Sequence, residues 1–164
     1  MKVISALLLT VCASVSAEPL TLVSTLPDRP VFNLVSDGVT QSRALAPGNR
    51  AALEPGIFSG LGLKAVPLTG GQIYYLARIG ALPSLYLLPP DQVLILNQSG
   101  QTVELTLGDT SAVVASGGFA LGNAAETVGW NGSPPAAVEG GHVYRLLLTS
   151  PEGVGTAVTL SVWK

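Results

Sequence analysis

The sequence predicts an all-β protein: two small antiparallel β-sandwich modules, Ig-like or jelly-roll-like, in tandem after a signal peptide. Three observations carry that expectation. Short apolar or alternating runs recur between clusters of Gly, Pro, Asn and Asp, the pattern of strands joined by turns. Beyond the N-terminal leader, no stretch keeps a helical apolar period for three turns. One order of turn and strand motifs also occurs twice along the chain.

The leader comes first. Met1-Lys2 gives a positive start, residues 3–11 are apolar, and Val15-Ser16-Ala17 is a small-residue exit, so residues 1–17 read as a cleavable signal peptide. The apolar run is shorter than the roughly 20 residues a membrane span needs, and no basic stop-transfer cluster follows. Cleavage after Ala17 leaves about 147 residues and removes Cys12, the only cysteine. A secreted domain without a disulfide must hold together by core packing, which suits the bacterial periplasm. The mature form is expected to have no membrane span.

Strands are expected over 20–25, 31–35, 40–45, 51–53, 61–68 and 72–79, then 84–87, 93–97, 102–107, 112–115, 142–149 and 156–163. Residues 102–107 alternate cleanly, with Val103, Leu105 and Leu107 on one face, and residues 157–162 do the same. Ser36-Asp37-Gly38 and Gln98-Ser99-Gly100 read as hairpin turns. Ala46-Pro47-Gly48 and Glu54-Pro55-Gly56 read as type II turns. The strings Asn97-Gln98-Ser99 and Asn131-Gly132-Ser133 are taken as turn residues rather than glycosylation acceptors.

The repeat aligns Leu34–Thr40 with Leu96–Thr102, and Pro55-Gly56-Ile57-Phe58 with Ser116-Gly117-Gly118-Phe119. It also aligns Gly70-Gly71-Gln72-Ile73-Tyr74 with Gly140-Gly141-His142-Val143-Tyr144. This predicts one module over residues 18–88 and a second over 89–164. Pro89-Pro90 stiffens the joint and removes two ladder donors.

The chemical inventory is sparse. Acidic residues (10) slightly outnumber Lys and Arg (8), which argues against a phosphate-tracking surface and hence against nucleic acid. Copper and structural zinc sites need several imidazoles or thiolates. The chain has one histidine, His142, and no cysteine after cleavage, so no metal site is expected. His142 beside Gly-Gly reads as a strand-edge residue. No G-x-S-x-G elbow is present, and Ser59 and Ser116 read as turn serines. Glu126, Glu139 and Glu152 read as solvated loop acids rather than a glycosidase pair. Gly60-Leu61-Gly62 lacks the following helix that a phosphate loop requires. The expectation is no catalytic residue, no cofactor and no enzyme activity.

One aromatic residue stands apart. Trp130 falls in a stretch rich in Gly and Pro, 127–135, which reads as a loop. A loop tryptophan serves to stack on a sugar ring, to anchor a partner, or to fold back over the second core. Trp130 is therefore the one candidate binding residue.

The series Leu45-Ala46-Pro47, Leu53-Glu54-Pro55-Gly56, Pro67-Leu68-Thr69 and Tyr74-Tyr75-Leu76 resembles the first module of the periplasmic alginate O-acetylation accessory proteins, the AlgF family. Leu88-Pro89-Pro90, Asn97-Gln98-Ser99-Gly100, Glu139-Gly140-Gly141, Tyr144-Arg145-Leu146 and the closing Ser161-Val162-Trp163-Lys164 continue the likeness in order. The resemblance lies in strand order and turn placement over most of the mature chain, and this chain is shorter and less charged than that family. It implies a non-catalytic periplasmic adaptor in the O-acetylation of an exopolysaccharide. The implied partners are periplasmic or membrane-bound acetyltransferase proteins, with the polysaccharide itself as a second class. The alternative is a structural or carbohydrate-binding β-sandwich protein of the envelope or matrix.

Overall fold

Among the described residues the strands divide into two sets of eight. The computed structural model describes residues 17–124, 127–150 and 156–163. The expected signal peptide up to residue 16, Cys12, Glu126 and Glu152 lie outside those residues. The first set is β1 (Leu20–Ser24), β2 (Val31–Ser36), β3 (Val39–Ala44), β4 (Arg50–Leu53), β5 (Gly56–Gly60), β6 (Leu63–Leu68), β7 (Ile73–Ile79) and β8 (Leu82–Leu87). The second is β9 (Gln92–Asn97), β10 (Val103–Leu107), β11 (Thr110–Val114), β12 (Phe119–Asn123), β13 (Thr127–Trp130), β14 (Ala136–Ala137), β15 (His142–Thr149) and β16 (Ala157–Val162). Among the described residues no helix is long and apolar enough to cross a membrane.

Four four-stranded sheets result, with orders β4-β1-β7-β8, β3-β2-β5-β6, β12-β9-β15-β16 and β11-β10-β13-β14. Adding eight to each strand number of the first pair of sheets reproduces the second pair. The chain is therefore all-β and built as two sandwiches of one topology. Each inner sheet contains one parallel pair among otherwise antiparallel ladders. In β1 and β7, Leu22 lies opposite Tyr74; in β9 and β15, Ile95 lies opposite Tyr144.

Matching registers places Leu22 on Ile95, Phe32 on Leu105 and Tyr74 on Tyr144. The repeat read from sequence is correct at its last segment and displaced at the first two. The Asp37-Gly38 hairpin has its topological counterpart in the Gly108-Asp109 turn, which comes two residues earlier in register, because β2–β3 matches β10–β11. Gln98-Ser99-Gly100 instead carries the chain from an inner sheet to an outer one and is no hairpin. Gly38 and Gly100 both have φ near +78°, at +77° and +79°, so unlike connections ask for the same residue. Likewise Phe58 lies on β5 and Phe119 on β12, which are not counterparts.

Four strands escape the sequence pattern: β5, β12, β13 and β14. β5 is bracketed by Gly56 and Gly60, which read as turn residues, and Ser59 lies within it. Gly56 enters a strand rather than the positive-φ corner of a type II turn; a Cβ there would strike the Val35 carbonyl.

The repeated Gly-Gly has a physical cause. A Cβ on Gly70 would run into the Glu18 carbonyl, and one on Gly140 into that of Pro90. Gly71 and Gly141 then turn at φ +71° and +69°. Four residues beyond each first glycine, a tyrosine ties the corner down. Tyr74 Oη accepts from the Thr69 N–H at 3.0 Å, and Tyr144 Oη from the Glu139 N–H at 2.8 Å.

Three apolar layers hold the assembly. Leu20, Leu22, Phe32, Leu34, Phe58 and Leu76 centre the first sandwich. Val93, Ile95, Leu105, Val128 and Leu146 centre the second. Between the inner sheets, Val23, Tyr75, Ala77, Leu88, Leu94, Leu96 and Val143 form a third layer joining the sandwiches. Inner strands such as β9 are thus buried on both faces and read as continuous apolar runs. Each fully buried Leu or Val contributes about 1.5–3 kcal/mol relative to exposure.

Polar ties from neighbouring residues of the first sandwich also cross that joint. Gln98 Nε2 donates to the Gly48 carbonyl. Arg50 Nη1 donates to the Trp163 carbonyl at 2.7 Å, and the guanidinium groups of Arg50 and Arg145 lie 5.2 and 4.8 Å from the Trp163 ring centroid.

Candidate functional site

The residues that shape the best-formed cleft lie at one end of the second sandwich. There β13 runs out at Trp130 and the chain turns through Asn131 and Gly132 at φ +47° and +73°. Two consecutive positive-φ residues suit a tight hairpin, and Asn-Gly is the pair that tolerates both. Pro134-Pro135 follows. Neither residue offers an N–H, so the return strand is cut to the two residues of β14.

Trp130 is therefore the last residue of a strand and not part of a loop, which corrects the sequence reading. Its neighbour across the ladder is Leu105. The alternation that buries Val128 turns the indole toward the same core, where it is half-buried. The indole Nε1–H donates to the Val158 carbonyl on β16 at 2.7 Å, and the Trp130 N–H donates to Ser133 Oγ at 3.0 Å. Asn131 is held as firmly: its N–H donates to the Glu104 carbonyl, and its Oδ1 accepts from the Glu104 N–H, each at 2.9 Å.

Around the indole opens a cleft of about 400 Å³, lined by Gln101, Trp130, Ser133, Leu148, Thr156 and Val158 among others. Among the described residues no charged one lines it. Its volume falls within the roughly 300–1,000 Å³ usual for small-molecule sites. Sequence reasoning singled out Trp130 and missed Gln101, Leu148 and Val158. These come from the β9–β10 crossover and the β15–β16 hairpin, and only sheet packing brings them to β13.

The other residues weighed for chemistry do not gather. His142 opens β15 exposed, with Nδ1 2.8 Å from the Gly140 carbonyl. Glu139 is exposed, and Ser116 lies in the turn opposite Pro47 and Gly48. Among the described residues no group of three or more His, Cys, Asp or Glu could hold a metal ion. Burial between the sandwiches, reinforced by the neighbouring Tyr86 phenol, pushes the Tyr75 hydroxyl above the ordinary phenol range.

The outer faces differ in character. On the outer sheet of the first sandwich, Val31, Val35, Ile57 and Pro67 point to solvent among Asn33, Ser42 and Ser59; Val31 is 58% and Ile57 47% exposed. The matching positions of the second sandwich are Glu104, Gly108, Thr127 and Ala137. No protein-family model and no curated protein matches the chain.

Proposed function

We propose that this chain is a non-catalytic periplasmic adaptor in the O-acetylation of an exopolysaccharide, as its resemblance to the AlgF family implies. In this reading it works by holding acetyltransferase proteins in contact, while those partners carry out acetyl transfer. The observation that carries it is the outer face that exposes Val31 and Ile57, with Val35 half-exposed between them. Val31 and Ile57 put branched apolar side chains on the two middle strands, where the sister sandwich has Glu104 and Thr127 and carries its exposed Val113 on the edge strand β11, and such a face suits a protein partner. Joining of the two sandwiches over a shared apolar layer supports the same role, because it presents both outer faces in one fixed relation.

Deleting the gene is expected to leave polymer production intact and strip acetyl groups from the secreted polysaccharide, as read by its proton NMR spectrum. Complementation with an Ile57→Asp variant that is exported and folded should leave acetylation low. Unchanged acetyl content in the deletion strain would remove the proposal. The aromatic cleft favours a second reading beside it, a carbohydrate-binding protein of the envelope or matrix.

A further inference from the structure

We propose that the cleft floored by Trp130 is a binding site for a neutral pyranose unit of a glycan. This inference stands on the second sandwich alone and holds whether or not the chain serves acetylation. The first sandwich acts as an internal control, because the same strand plan closes the same end without a cleft residue of this kind.

Register places Gly60, Leu61 and Leu63 of the first sandwich on Trp130, Asn131 and Ser133 of the second. In the first, Leu61 and Leu63 pack onto the core, and β6 runs for six residues beside β5. In the second, both leucines become polar, the return strand shrinks to two residues, and a tryptophan stands where glycine was. A core needing only closure has no use for that exchange. A large aromatic surface set among hydroxyl and carboxamide groups is the composition of a sugar site, where the apolar face of the ring stacks and its hydroxyls bond outward.

The charge pattern selects the class of sugar. Asp28 and Arg78 form a 3.6 Å ion pair at this end of the first sandwich. Their counterparts are Gln101 and Leu148, and both line the cleft. An ion pair has given way to a neutral amide and an apolar side chain. Uronate, sialate or phosphate would call for a cation here, and among the described residues none lines the cleft.

The polar groups of the cleft hold one another in pairs and still leave donors over. The indole N–H is already committed to the Val158 carbonyl, which fixes the ring plane. Ser133 Oγ accepts from the Trp130 N–H and keeps its own proton to donate. Thr156 Oγ1 lies 3.2 Å from Ser150 Oγ at the rim. The Gln101 side chain is exposed, its residue anchored through its main-chain carbonyl, which accepts from Asn97 Nδ2 at 2.7 Å. A preset aromatic plane flanked by hydroxyl and carboxamide groups lowers the ordering cost of binding.

The test uses the full mature chain, with cellotetraose, mannotetraose and galactotetraose as neutral probes and a mannuronate tetramer as the acidic one. Two-dimensional NMR at millimolar sugar should show at least one neutral probe shifting the Trp130 indole N–H and the Gln101, Ser133 and Leu148 signals. Trp130→Ala should weaken that binding by about tenfold or more. Gln101→Ala changes an exposed side chain and keeps the fold, so it should weaken binding even if Trp130→Ala fails to fold. Silence from all three neutral probes, shifts centred elsewhere, or equal response to the mannuronate tetramer would each overturn the proposal.

Discussion

In the first sandwich the centre is held by two stacked phenyl rings, Phe32 and Phe58, with centroids 5.0 Å apart. The second places Leu105 and Val128 at those positions and carries its aromatic bulk at Trp130, where the first has Gly60. The polar interior differs as well. Ser24 ends β1 facing the first core, and its hydroxyl is buried without a protein partner. Its counterpart Asn97 is equally buried and fully engaged. Its Nδ2 donates to the carbonyls of Gln101 and Val114 at 2.7 and 2.8 Å, and its Oδ1 accepts from Ser99 Oγ at 2.7 Å. One strand plan thus accepts two distributions of volume and polarity, with the larger buried polar group, Asn97, fully bonded and the small Ser24 hydroxyl left over. Moving the aromatic ring from the centre to the end leaves the indole half-buried beside an open cleft.

The largest test of that contrast is truncation at the two centres. Phe58→Ala should cost about 3–5 kcal/mol, and Val128→Ala roughly 2 kcal/mol, measured by urea unfolding at unchanged m-value. Equal losses would mean that the second centre is as densely filled as the first. The buried polar pair comes next. Asn97→Ala removes the amide donor to the Gln101 and Val114 carbonyls and the acceptor for Ser99, with an expected loss of about 2–3 kcal/mol, whereas Ser24→Ala should stay within about 0.5 kcal/mol of wild type. A large loss at Ser24 would show that its hydroxyl has a bond after all.

The joint offers a finer comparison, since Tyr75 stacks on Tyr86 on one side while Arg145 lies over Trp163 on the other. Trp163→Ala should cost about 1–2 kcal/mol. A double-mutant cycle with Arg50→Ala should recover a coupling of about 0.5–1 kcal/mol; a coupling of zero would reduce that tie to a surface contact. The smallest effect is the pH response of the joint. The unfolded chain releases the Tyr75 proton at lower pH than the folded one, so the native state binds more protons and stability falls as pH rises through about 10 and above. Below that range the contribution is fully present. Tyr75→Phe should flatten the alkaline decline seen by thermal unfolding, and an unchanged slope would assign it to other groups.

Part of this architecture is legible in the sequence for local reasons. The alternation in β10 and β16 and the Gly-Gly corners with their tyrosines state side-chain periodicity, positive φ and close backbone approach, and a short window of residues contains all three. The missed strands fail by the same logic. β5 and β13 carry glycines that a window reads as turns, although a neighbouring ladder holds them extended.

The sequence by itself determined that the chain would be all-β, where many of its corners would fall, and that Trp130 stood apart from the other aromatics. Only the tertiary structure decided which turns are equivalent, that β1 and β7 run parallel, and that a third apolar layer joins the sandwiches. It also decided that Gln101, Leu148 and Val158 meet around one indole. The reason is range. Strand character and turn angles are set between near neighbours, whereas pairing, layer contact and clefts arise from burying faces contributed by residues dozens of positions apart, and a linear pattern records nothing of that choice.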